Sequence, residues 1–342
     1  MTRFATRMYC LLRALPAAAF CCVLLAGCSP YKFVGDHVMR FGEKAIMPAA
    51  LADDDPVIAC HAAEAFTAAT ISFEGVGTDV NRIAVLLFTA TGVCAEGDAF
   101  TAELAYLRGL QQQDTVKASD ARIRQKRMHE VAARRQYKAW QRFTAVYGDL
   151  QEGQCPKKFR NTFDETVFLV GLVAGVQAVL NDAQVGQAVG VPRDIAPRAA
   201  HLSVCLDNDK WWNVPLSIQA ALWAILPPMA PEGVNPMALL EKNARIGAAR
   251  GVRLGHVVWA LSAHSSGDSE TAKRAIRDFA SSRPGSLNRE HRLLDRIAED
   301  VIVGLSDRIW TEATGVRTPM GGLGSFPDDP APARGDIDDL LP

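Results

Sequence analysis

"HVVWALSAHSSGDSETAKRAIRDFA", residues 256–280, decides the fold. An apolar helical stretch runs into a Gly267-Asp268 joint, and a second helix follows through Thr271-Ala272. The stretch "LLFTATGVCAEGDAFTAELAYLRGL", residues 86–110, has the same order, with its own Gly97-Asp98 joint and Thr101-Ala102. In both, a small residue (Ala90, Ala260) lets paired helices approach closely and an alanine (Ala102, Ala272) packs into the joint. Pro284 ends the second copy, where a helix cannot continue. A helical hairpin cannot bury its apolar face alone, so repeated hairpins stack. The expected fold class is therefore all-α, an array of antiparallel helical hairpins.

Outward from these two segments, helical periodicity dominates and alternating strand-like runs are almost absent. Apolar spacing predicts helices over 57–74, 79–96, 98–113, 119–147, 163–182, 194–206, 213–226, 235–250, 252–265, 268–282 and 288–312. Their joints are Gly- and Pro-containing, such as "VGVPRD" and "PPMAPEGVNP". This spacing resembles that of tetratricopeptide (TPR) hairpins, which implies a curved array over 56–313. The tail from 314 to 342 is rich in Gly, Pro and Asp and reads as disordered.

The first residues carry Arg3, Arg7 and Arg13, then an apolar stretch from Ala14 to Ala26 broken by Pro16. That stretch falls short of the roughly 20 apolar residues of a membrane span and reads as a secretory signal over 1–27. It ends on Leu25-Ala26-Gly27-Cys28, the lipobox pattern of bacterial lipoproteins. On that reading Cys28 is acylated and becomes the N-terminus, so the chain is held at a membrane by its fatty chains. The competing reading is an ordinary signal peptide or N-terminal anchor with a coincidental cysteine. Ser29 after the cysteine points to the outer membrane, facing the periplasm. Residues 28–55 then read as a lipidated N-terminus and linker. No later stretch reads as long and apolar enough to span a bilayer; the best, 167–180, reads as a buried helix.

The net charge of −1 becomes −4 once the three leader arginines are gone, which gives no general attraction to nucleic acid. Cys10, Cys21 and Cys22 leave with the leader and Cys28 is acylated, so Cys60, Cys94, Cys155 and Cys205 remain. An even number in an oxidising compartment suggests two disulfides. Hairpin geometry selects the pairing. Cys60 lies 17 residues before Gly77 and Cys94 lies 17 after it, level with each other at the open end of a hairpin. Cys155 then pairs with Cys205 by exclusion. The alternative is four free buried thiols.

The lipobox, the hairpins, "ARRQYKAWQRFTAVYGDL" (132–149) and "WWNVPLSIQAALWAIL" (211–226) together resemble the TatT family, TPR-type lipoproteins associated with TRAP transporters. The likeness covers roughly residues 57–312 and is one of order and texture. It implies a trimeric periplasmic scaffold that docks a solute-binding protein and holds an apolar ligand.

Two candidate binding features stand out. Residues 117–142 carry nine Lys or Arg against Asp120 and Glu130, and Arg134, Arg135 and Lys138 are the residues expected to meet an anionic partner. A solvated helix face is the bland alternative. Trp211 and Trp212 sit at a helix entrance; about 100° apart on a helix, at most one packs squarely into the core, and the other either lines a groove or packs at the core or its rim. His256 and His264 are two turns apart, too far for a shared metal, and read as packing residues. Asp164-Glu165 reads as a helix start rather than an acid–base pair. No catalytic triad order, phosphate loop or metalloprotease motif is present, so no enzyme activity, cofactor or metal is expected. The functional expectation is a lipid-anchored helical protein-interaction module, in its specific form an accessory docking component of a TRAP-type transporter. The alternatives are a structural envelope scaffold and a carrier of a lipid-like ligand, and a homo-oligomer is open in each case.

Overall fold

Side-chain caps set the helix starts. The Asp55 carboxylate accepts from the amides of Val57 and Ile58, with Pro56 as the first helical residue. Asp114 caps through the Lys117 amide, Asn161 through Asp164, Asn235 through Ala238 and Asp268 through Thr271. Each satisfies amides that the first helical turn would otherwise leave unpaired. The computed structural model describes residues 30–282 and 288–330. Residues 1–29, which hold the expected secretory signal and Cys28, residues 283–287, which hold Pro284, and residues 331–342 lie outside the described residues. Among the described residues all regular structure is helical.

The chain begins with α1 (Pro30–Phe41), a π-helical turn (Gly42–Ile46) and α2 (Met47–Ala52). After these come α3 (Pro56–Ser72), α4 (Asn81–Gln111), α5 (Thr115–Tyr147) and α6 (Thr162–Gln184). The remainder is α7 (Ile195–Leu202), α8 (Val214–Ile225), α9 (Pro236–Ala249), α10 (Leu254–Ser265), α11 (Ser269–Ser281) and α12 (Arg292–Thr314). The long helices α4, α5 and α6 pack side by side, and α8 to α12 form a second stack beside them. One core joins α5–α8 around Trp140, Phe143, Phe168, Leu172 and Trp211. A second fills the α8–α12 stack around Trp259, Ile276, Phe279 and Ile302. A third, smaller one holds α1 and α3 to the start of α4 through Met39, Ala63, Val80, Ile83 and Leu87.

Four expectations are corrected. Gly97-Asp98 is not a joint, because α4 runs unbroken through it. Glycine in a helix interior costs about 1 kcal/mol, and the burial of Ala95, Ala99, Ala102 and Leu104 outweighs it. The true joint is three residues long, with Gln113 at φ 57° before the Asp114 cap. It brings Gly109 so close to α5 that a Cβ there would lie 2.7 Å from the Ala118 amide nitrogen. The 86–110 copy of the repeat is thus one helix. The 256–280 copy is a hairpin, with Gly267 at φ 78° and both Ala260 and Ala272 fully buried.

The segment 30–52 is helical rather than a linker. Gly35 and Gly42 let it lie against the turn before α4 and the first turn of α4: a Cβ on Gly35 would collide with Thr78, and one on Gly42 would come within 2.6 Å of the Ile83 side chain. Residues 315–330 are not disordered but fold back onto α11 and α12. Phe326 is 3% exposed, Trp310 Nε1 donates to the Ser325 carbonyl at 2.9 Å, and Lys273 and Arg277 bond to Asp328 and Asp329.

Three helical stretches, Pro56–Val76, Asn81–Gln111 and Thr162–Gln184, are long and apolar enough to cross a membrane by length and composition. They are not uninterrupted apolar runs, because alanine, valine and leucine keep the mean hydropathy high across isolated polar residues. In the second and third, half or more of the apolar window is buried against other helices (50% and 56%), whereas in the first only 6% is.

Cys60 and Cys94 stand at disulfide distance with their Cα atoms 5.8 Å apart, and Cys155 and Cys205 with theirs 5.5 Å apart. The first is the pair that hairpin geometry selects and the second is the pair left by exclusion.

Candidate functional site

The basic helix α5 divides into two parts. Arg134 pairs with Glu130 one turn back on its own helix. Arg135 Nη1 reaches Glu64 of α3 at 2.9 Å and the Thr91 carbonyl of α4 at 2.7 Å. Lys138 lies over the Phe88 ring at 5.6 Å, and Arg142 pairs with Glu74. Arg135 and Arg142 clasp α3, the turn after it and α4 to α5, whereas Arg134 and Lys138 stay on the exposed face. Arg134, Arg135 and Lys138 therefore do not form one free stripe. On α5 the exposed cations without an ion pair among the described residues are Arg124, Lys126, Arg127 and Lys138, the last of them packed over Phe88. Helical spacing alone could not separate the two groups, because the carboxylate partners Glu64 and Glu74 lie about 70 residues away in sequence.

Trp211 and Trp212 are both buried, at 1% and 4% exposure, which corrects the expectation that only one packs inward. They precede α8 rather than sit on it. Trp212 and Asn213 adopt left-handed backbone, at φ 52° and 59°, so the 100° rule for a helix does not apply. The rings meet edge to face at 5.5 Å and both contact His291 at the start of α12. Trp211 Nε1 donates to Glu165 at 2.8 Å, and Lys210 bridges to the same carboxylate. The pair therefore seals the junction between the two helical stacks.

Two polar nodes lie among the long helices. Asp164 accepts from Arg82 Nε at 2.8 Å, the Arg160 amide at 3.0 Å and the Tyr147 hydroxyl at 3.1 Å. Burial pushes its carboxyl up, but these donors prevail and hold it below the ordinary aspartate range. The same burial, with Asp164 beside it, pushes the Tyr147 phenol up. The cap of α6 is Asn161, not the Asp164-Glu165 pair.

The second node is Glu96. Gln177 Nε2 donates to it at 3.1 Å, as does Asn181 Nδ2; Asn181 also bonds Gln136 Oε1 at 2.8 Å and His129 Nδ1 at 2.7 Å. Burial pushes the Glu96 carboxyl up despite these donors. Gly92 leaves the room that the Gln136 side chain occupies. This node was not singled out in the sequence, although Gln177 and Asn181 are one turn apart in an otherwise apolar helix, which is its visible trace.

In the second stack, His256 Nε2 meets Asp278 at 2.9 Å, and Arg245 holds the other carboxylate oxygen. Burial pushes the imidazole down, against the pull of Asp278, which keeps it neutral. His264 lies at the other end of α10. Among the described residues no three His, Cys, Asp or Glu side chains gather as a metal site.

Two concavities open on the surface. One, about 160 Å³, is lined by Asp36, Arg40, Glu43, Asp79, Arg82 and Arg160, where α1 meets α4. The other, about 590 Å³ and shallow, runs along one face of α9 from Ala238 to Ala249. No family model, curated protein or solved structure matches the chain.

Proposed function

We propose that the chain is a lipid-anchored, TPR-like protein-interaction module of the bacterial envelope, facing the periplasm. The observation that carries this reading is the α8–α12 stack. Each helix from α8 to α11 packs on the next, and α8, α10 and α12 also pack on one another in turn. That is the nearest-neighbour connectivity of a hairpin array, whose use is to display a continuous face to another protein. The face on offer is α9, where Ala238, Glu241, Lys242, Arg245, Ile246 and Ala249 recur at helical spacing along an open trough. Its mix of aliphatic and charged groups suits a protein surface. The two cysteine pairs at disulfide distance support an oxidising compartment such as the periplasm.

In its specific form the module is an accessory docking component of a TRAP-type transporter that engages a periplasmic solute-binding protein. That version rests on the TatT-like order of segments. A lipid carrier would call for a cavity walled by Val, Leu and Trp, whereas the two concavities here are lined largely by charged and small residues. Cross-linking in intact cells followed by capture of the chain tests the proposal. Recovery of a solute-binding protein or permease, lost with Lys242→Glu and Ile246→Ser, is the expected result. A folded, anchored protein that recovers no transport component counts against the transporter version.

A further inference from the structure

α1 carries an apolar face that nothing among the described residues covers. At about 100° per residue, Phe33, Phe41, Val34, Val38 and Tyr31 fall on one arc of about 160°. Their exposures are 63, 61, 53, 38 and 71% respectively. His37 is the polar side chain on that arc; its Nδ1 is taken up by the Phe33 carbonyl at 2.8 Å and its ring lies against Phe33. The opposite face, Gly35 and Met39, is buried against the body. Lys32, Asp36 and Arg40 occupy one edge between the two faces, with Lys32 and Asp36 paired at 2.9 Å.

We propose that α1 lies in the plane of the bilayer surface, its apolar arc sunk at the boundary between headgroups and acyl chains. The inference rests on the reading of Cys28 as a lipidation site. Covalent geometry then chooses the occupant. Cys28 is two residues from Pro30, so at most ~7 Å separates an acylated cysteine from the start of α1. Helices that lie on membranes bury their apolar faces roughly 5–10 Å into that same boundary. A cysteine held in the bilayer therefore delivers Tyr31, Phe33 and Val34 to lipid before any other partner. Aromatic rings with an apolar body suit that depth, and Lys32 and Arg40 extend their ammonium and guanidinium groups from the rim toward phosphate. Because Gly35, Met39 and Gly42 hold this segment against Phe73, Thr78 and Ile83, in the turn before α4 and its first residues, seating α1 on lipid also fixes the tilt of the whole body. The module is then a rigid outcrop of the membrane rather than a bead on a tether.

The test places the photo-cross-linker p-benzoylphenylalanine at Phe33, Phe41 or, as a control, Leu261 of α10. The full chain is produced with its leader in a bacterial envelope, purified and reconstituted in phosphatidylethanolamine–phosphatidylglycerol vesicles. A phospholipid adduct from positions 33 and 41, absent from position 261, is the expected result. Absence of lipid adducts at 33 and 41 overturns the inference, as does an adduct with a second copy of the chain in their place. Labelling of Cys28 by a palmitate analogue is read in parallel. Labelled Cys28 without lipid adducts defeats this inference and leaves the anchor standing. Unlabelled Cys28 with lipid adducts defeats the anchor and leaves α1 as the membrane-seated element.

Discussion

Breaking the Cys60–Cys94 pair, as Cys60→Ala with Cys94→Ala, should loosen α3 first. The pair closes a loop with a sequence separation of 34, which in loop-closure entropy corresponds to ~3.8 kcal/mol at 25 °C. At about 2 °C per kcal/mol for a domain this large, the unfolding midpoint should fall by ~8 °C. The other pair spans 50 residues and by the same relation corresponds to ~4.1 kcal/mol, so loop length alone hardly separates them. What separates them is what each one holds. α3 buries only Ala63 and Thr70, and its other ties include the Glu64–Arg135 pair and packing along α4. Without the disulfide its amides should exchange through a local opening well below the global stability. Cys155 instead fastens the exposed loop before α6, and its loss should leave α3 protected. The assay is thermal unfolding by circular dichroism together with hydrogen exchange read by peptide. An unchanged midpoint, or residues 57–72 remaining as protected as α5, would refute the reasoning.

Three further perturbations probe the packing. Gly97→Ala should stabilise by about 1 kcal/mol, since the position is helical and open, whereas Gly109→Ala should destabilise by about 1–3 kcal/mol by forcing α4 off the Ala118 backbone; denaturant titration of both checks the unbroken α4. Glu96→Gln should raise stability at neutral pH. The folded state keeps the Glu96 proton to higher pH than the unfolded chain does, so its contribution is fully present below the ordinary carboxylate range and lost as pH rises through the elevated value. The variant's advantage should therefore vanish in acid, as stability curves against pH will show. Phe326→Ala should release residues 315–330 from α11, because the ring is buried beneath Lys273 and Arg277; rapid protease cleavage after Gly315 with the rest intact is the expected readout.

The helices and the Cys60–Cys94 pairing were legible because both follow from local spacing: apolar residues at three- and four-residue intervals, and cysteines equidistant from Gly77. The Gly97-Asp98 misreading has the opposite cause. The same dipeptide at Gly267-Asp268 does end a helix, and only the buried partner surface on α5 distinguishes the two. The fold-back of 315–330 was hidden for a similar reason, since Phe326, Asp328 and Asp329 bind residues about 50 positions earlier. The basic helix read as one stripe because Glu64 of α3 and Glu74 of the turn after it are not near it in sequence. Trp211 and Trp212 were misplaced by one turn of left-handed backbone that no periodicity announces.

The account turns on what happens at Cys28. Mass spectrometry of the N-terminal peptide of the chain purified from envelope membranes measures this directly. The account predicts that the peptide begins at Cys28 and carries a diacylglyceryl group on the sulfur. A peptide that retains the leader, or one cleaved elsewhere with a free Cys28 thiol, would contradict it.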